Sequence, residues 1–482
     1  MRRVLKSLKR WLILGHRWLG IATGLFFATW VLSGLVMMYV PFPNLTEAAR
    51  LAGLSPIAWE RVRLGPDAAL RSLSLSHLPP SLSLSLRGDA PVYQVTLGTG
   101  ERRVVSAETG AVLGPISRDE ALALARARGD AGPHPTVTPV FRDQWTVTAR
   151  YDALRPFHVV ALDDAAGTER YVSALTGAVA LETTRFARAW NWLGSIPHWI
   201  YLTPLRARAA LWRDVVLWVS GVAMAGAVSG LVLGVWRLRL RRPYASGVTP
   251  YRGMGRWHHL FGVVGGLTLL TFVASGWLSM NPNHWFTGSA PTPALAAALA
   301  GDAPLPGLDT LRAVATPATV EVRFLGLGGQ VHVVGADAGG RRRVAPPVTP
   351  EALRAAAERL LPGSAAAMET LTAYDAYWYP HHDTRRLPVL RVRFDDPAAT
   401  WAYLDPETGE LLARLDRSGR IDRWLFAAPH RFDFAILTRH RPVWDVLMWS
   451  LNLLGAGIAL TGIVLGWRRL RRIRPAREAR PR

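Results

Sequence analysis

The sequence predicts an α-helical membrane protein: four transmembrane helices from a tandem duplication, with two periplasmic α+β domains set between them. Three observations predict it. Four stretches without a charged residue, Trp18–Val40, Val215–Trp236, Leu260–Asn281 and Val446–Trp467, are each long enough to cross a hydrocarbon core of roughly 30 Å as a helix. Segments 1–17, 237–256 and 468–482 hold 6, 6 and 8 Arg or Lys against a single acid, Glu478, and so carry +19 of the net charge of +22. The same residues recur in the two halves of the chain at matching intervals.

Residues 1–42 form a cytoplasmic N-terminus and helix one. Their basic-then-apolar order resembles a secretion signal, but the apolar run is too long and lacks a small-x-small cleavage site, so it is read as a retained helix. Residues 211–242 carry helix two, residues 243–282 a short basic loop and helix three, and residues 441–482 helix four with a basic tail. The basic segments fall in alternate connections, which places both termini and the middle loop in the cytoplasm of a bacterial inner membrane. Segments 43–210 and 283–440 are then periplasmic. Because the excess charge abuts the apolar helices, the lipid bilayer and not a nucleic acid is the expected partner.

The two periplasmic segments read as small α+β units. Tyr93–Val112 alternates apolar and polar residues and ends on Thr109-Gly110, the signature of a hairpin closed by a turn. Phe157–Leu181 and Val389–Leu412 repeat that plan, ending on Thr176-Gly177 and Thr408-Gly409. Segments 117–128 and 350–361 have helical spacing behind a Ser or Thr cap. The serine-rich run at 72–86 alternates like an edge strand.

The duplication sorts the 13 histidines. His16-Arg-Trp-Leu-Gly20 and His258-His-Leu-Phe-Gly262 open helices one and three, and Pro197-His198 and Pro429-His430 precede helices two and four. That supplies one pair at each membrane face. Paired imidazoles make a low-spin iron centre suited to electron transfer, so two b-type haems are expected, ligated by His16 with His258 and by His198 with His430. Gly20, Gly24, Gly34, Gly262, Gly265 and Gly266 would let a flat macrocycle approach the backbone. His259 is the alternative to His258. An interfacial histidine also commonly just bonds a carbonyl or a headgroup, and that reading stays open. His381, His382 and Asp383 form a further candidate substrate contact, or an exposed loop. The absence of cysteine excludes disulfides, thiolate-bound clusters and covalent c-type haem. No phosphate-binding loop, serine-nucleophile elbow or zinc-protease motif occurs.

Across nearly its whole length this pattern resembles the PepSY-associated transmembrane family of bacterial inner-membrane proteins. The resemblance rests on the two His-x-x-x-Gly elements, the two Pro-His elements and PepSY-like units ending in Thr-Gly, of which Leu404-Asp-Pro-Glu-Thr-Gly-Glu410 is the clearest. Ala174-Leu-Thr-Gly177 lacks the Asp-Pro, and the stretch Val331–Val344 lacks the Thr-Gly end. The resemblance implies haem-dependent reduction of a ferric siderophore in the periplasm, with a quinol or a cytoplasmic reductase as donor. Two other readings are a membrane-anchored PepSY module binding a peptide or protease without a cofactor, and a haem-bearing subunit partnering a flavoprotein.

Overall fold

The computed structural model describes residues 2–129, 131–380 and 385–473. Four long helices, α1 (Arg2–Met37), α2 (Ala209–Arg237), α3 (Met254–Ser279) and α4 (Arg441–Ile473), are long and apolar enough to cross a membrane. A helix bonds its own backbone polar groups, which is what an apolar surrounding demands. α1 and α3 each pack against both α2 and α4, so they stand diagonally across a four-helix bundle. Phe27, Val31, Ala223, Leu269, Val273 and Ala456 fill its centre.

The sheets and short helices lie at one end of the bundle, and the α2–α3 connection lies at the other. The expectation of four helices carrying two separate α+β domains is corrected by three antiparallel sheets and numerous short helices. The strands are β1 (Ser81–Arg87), β2 (Ala90–Thr96), β3 (Arg102–Ser106), β4 (Val112–Leu113), β5 (Thr136–Val140), β6 (Phe157–Ala161), β7 (Glu169–Ser173) and β8 (Val179–Thr183) in the first half. The second half supplies β9 (Thr319–Leu327), β10 (Gln330–Asp337), β11 (Arg342–Ala345), β12 (Ala366–Leu371), β13 (Val389–Phe394), β14 (Trp401–Leu404) and β15 (Leu411–Leu415). Strands β5 to β8 form one four-stranded meander and β12 to β15 another.

The third sheet joins the halves. Its order is β11-β10-β9-β1-β2-β3-β4, with β1 against β9 at Ser83↔Arg323 and Leu84↔Val322. Residues 81–86 of the serine-rich run therefore lie in a central strand, not an edge. Leu82 and Leu84 are fully buried, and an exposed edge presenting them would invite aggregation, so the two halves cover each other's edge. Arg50 of the first half grips Glu321 of β9 with both terminal nitrogens (2.8 and 2.7 Å). Val331–Val344, which lacks the repeated turn, forms β10 and most of β11.

Local rules hold where the sequence stated them. Ser117 and Glu120 make a reciprocal capping box on helix Arg118–Arg126, and Thr349 caps Pro350–Glu358. Gly110, Gly177 and Gly409 all sit at φ near +74°, where a side chain would be strained, and their N–H groups close identical turns.

Candidate functional site

Two pairs of histidines meet inside the bundle, each pair taking one member from each half. The rings of His16 on α1 and His258 on α3 have centroids 6.2 Å apart, tilted by 35°. The rings of His198 and His430 are also 6.2 Å apart, at 72°. His198 ends the short helix Ser195–His198, and His430 lies in its counterpart Ala428–Arg431. The chain before His198 can pass tight against α1 because Gly194 has no side chain: a Cβ there would meet Val36 at 2.9 Å.

All four imidazoles are held alike. His16 Nδ1 donates to the Gly226 carbonyl and lies equally near the Ser229 hydroxyl, both at 3.2 Å on α2. His258 Nδ1 meets the Ile458 carbonyl and Thr461 hydroxyl of α4, both at 3.1 Å. His198 Nδ1 meets the Trp30 carbonyl (3.1 Å) and Ser33 hydroxyl (3.0 Å) of α1. His430 Nδ1 meets the Phe272 carbonyl (3.2 Å) and Ser275 hydroxyl (3.0 Å) of α3. A carbonyl only accepts, so each Nδ1 carries the proton and each Nε2 keeps its lone pair. None of the four Nε2 atoms has a hydrogen-bond partner among the described residues.

A glycine follows each hydroxyl residue and makes room for the ring. A Cβ on Gly230 would stand 2.6 Å from His16 Cε1, and one on Gly462 would stand 3.2 Å from His258 Cε1. The corresponding distances are 3.6 Å for Gly34 to His198 and 3.4 Å for Gly276 to His430. This Ser/Thr-Gly seat was missed in the sequence, although its signal is there. His16 precedes Gly34 by the same 18 positions that separate His258 from Gly276, and the interval of 32 from His198 to Gly230 recurs from His430 to Gly462.

The spacing suits a metal between the rings. A metal–nitrogen distance of about 2.0 Å and about 1.1 Å from nitrogen to ring centre, counted on both sides, gives about 6.2 Å. Of the six glycines expected to admit a macrocycle, Gly20 and Gly262 face open space one turn beyond His16 and His258. Gly34 backs the His198 ring, while Gly24, Gly265 and Gly266 admit Ile463, Leu454 and Leu231 and serve helix packing. No protein-family model matches the chain, and no curated protein does.

His259 is turned away from the pair: it is buried, its Nε2 donates to the Gly234 carbonyl at 2.9 Å, and its ring packs on Tyr251. His381, His382 and Asp383 lie outside the described residues. The two pairs are separated along α1 by about 25 Å, at 1.5 Å per residue from His16 to Ser33, the partner of His198. Beside His430, buried Asp433 pairs with Arg423 (2.8 Å) and Arg431 (3.3 Å) and accepts from the Tyr379 hydroxyl (2.7 Å). Burial, reinforced by Asp433, pushes the Tyr379 phenol up to about 12, so it stays protonated and donates.

Proposed function

We propose that this protein carries electrons across a bacterial inner membrane, using one b-type haem between His16 and His258 and a second between His198 and His430. The observation that carries the proposal is the repeated 6.2 Å pairing of imidazoles whose Nε2 atoms have no hydrogen-bond partner among the described residues. The resemblance to the PepSY-associated transmembrane family points the same way. When bound, haem would supply one-electron chemistry at each end of the bundle.

The protein's own part is to hold and insulate. The Nδ1 bonds keep every ring in the tautomer that can ligate iron and fix its rotation. The bundle excludes water between the pairs, and a site near each face shortens the crossing of an insulating layer. With the basic ends of the helices in the cytoplasm, the sheets and the His198–His430 pair face the periplasm. Electrons would come from a quinol or a cytoplasmic reductase and reach a periplasmic acceptor, which we take to be a ferric siderophore. One electron converts Fe(III) to Fe(II), which hard oxygen donors hold more weakly, so the iron is released without a general acid or base.

The test is a dithionite-reduced minus oxidised visible spectrum of the purified protein. Sharp low-spin b-type bands are expected, with about half the signal lost in His16→Ala and about half in His198→Ala, as two independent bis-histidine sites require. A colourless protein after expression with ample haem would sink the proposal and leave an anchored binding module as the better account.

A further inference from the structure

The end of the bundle that carries the sheets is basic for a side that faces away from the cytoplasm. Segments 185–214 and 417–445, which flank His198 and His430 and lead into α2 and α4, hold 11 arginines against 4 acids. The rule that orients membrane helices draws such residues to the opposite side, so their presence here calls for a separate cause. Several lack a carboxylate to neutralise them: Arg206, Arg208 and Arg439 make no ion pair among the described residues. The first turns of α2 and α4 bring no acid either.

Arg206 is tied to the histidine pair through a tryptophan, and so is Arg441, which also pairs with Asp445. Arg206 lies over the Trp212 ring at 4.5 Å, and the Trp212 indole donates to the carbonyl of Trp199, the residue after His198. In the other half Trp444 donates to the carbonyl of Arg431, the residue after His430, with Arg441 over its ring at 4.6 Å. Arg208 and Arg439 stand just before α2 and α4, in the same two connections.

We infer that this arginine collar selects a multiply anionic metal chelate as the ligand of the sheet end, in preference to neutral or cationic chelates. A positive surface beside the pair concentrates such a ligand and steers it there. The inference rests on the proposed electron transfer for its purpose, but binding can be read without it. The probe is gallium(III) tris-catecholate, a redox-inert trianion, titrated calorimetrically into the full-length protein in nanodiscs of zwitterionic lipid, with a neutral gallium tris-hydroxamate beside it.

The trianion is expected to bind and the neutral complex not. Affinity should fall about tenfold in the triple variant Arg206→Gln, Arg208→Gln, Arg439→Gln, and should fall likewise between about 50 and about 500 mM salt. The triple lysine variant, which keeps the charge, should bind as the parent does and so controls for folding. Equal binding of both complexes, no binding of the trianion, or a glutamine variant that changes only the anionic lipid co-purifying with the protein would each overturn the inference. Haem is measured in the same samples: its absence would fail the electron-transfer reading while the titration still decides this one.

Discussion

An imidazole whose Nδ1–H is shared between a carbonyl and a hydroxyl is restrained in rotation by two acceptors on a rigid helix. Ser275→Ala removes one of them from His430 and keeps the other. Haem affinity at that site should fall about 10–100-fold, with the His16–His258 site unchanged, as read by titrating haem into the apoprotein. Gly230→Ala should act harder, because the new Cβ would stand 2.6 Å from His16 Cε1 on a helix backbone that cannot retreat. It should abolish the low-spin bands of that site, whereas Gly34→Ala, with 3.6 Å to spare, should leave the other site's bands in place. The four histidines were legible because they recur with their neighbours. The hydroxyls were not, since a serine in an apolar helix ordinarily bonds its own preceding turn, and Ser229 does that as well. Nor could spacing separate His258 from His259, as adjacent positions on a helix differ only in direction.

Among the elements, the β1–β9 pairing carries the most weight. Leu84 is fully buried opposite Val322 of the other half, so Leu84→Ala should cost about 2–5 kcal/mol and lower the thermal midpoint of the sheet end. The same junction should weaken in acid. Hydrogen bonds from Arg50 hold the Glu47 carboxyl below its ordinary value of 4.5, with burial opposing them. A lowered folded value means that its contribution is complete above the ordinary value and is lost as the pH falls through the lowered one. Glu47→Gln should therefore flatten the pH dependence of the thermal midpoint between about pH 5 and 3, and an unchanged slope would remove Glu47 from the account. Hairpins and caps were legible because their signals are local, as at Ser117 and Gly409. The shared sheet was not: β1 and β9 are paired across more than two hundred residues, and nothing in either strand's alternation says which edge it will meet.

For the whole molecule, each histidine pair draws one member from either side of the connection between α2 and α3. Residues 1–252 and 253–482 expressed separately should then show no bis-histidine spectrum, while their co-expression should restore it. A low-spin spectrum from either half alone would contradict this division. The basic ends of the four helices and the sheets at the other end give the molecule a fixed polarity. Its two sides are less alike than the repeated motifs suggest: the first half has Asn191 and Tyr201 where the second has Arg423 and Asp433.

That inequality follows from the way the halves are joined. Built from two separate copies of one half, both histidine pairs and the β1–β9 contact would lie on a symmetry axis, and any change on one side would have to appear on the other. A single continuous chain is released from that constraint. One flank of a site can keep the part needed to hold its centre while the opposite flank acquires a buried acid, a phenol and two guanidiniums of its own, so the approach to the His198–His430 pair is one-sided in a way that no symmetric dimer could be.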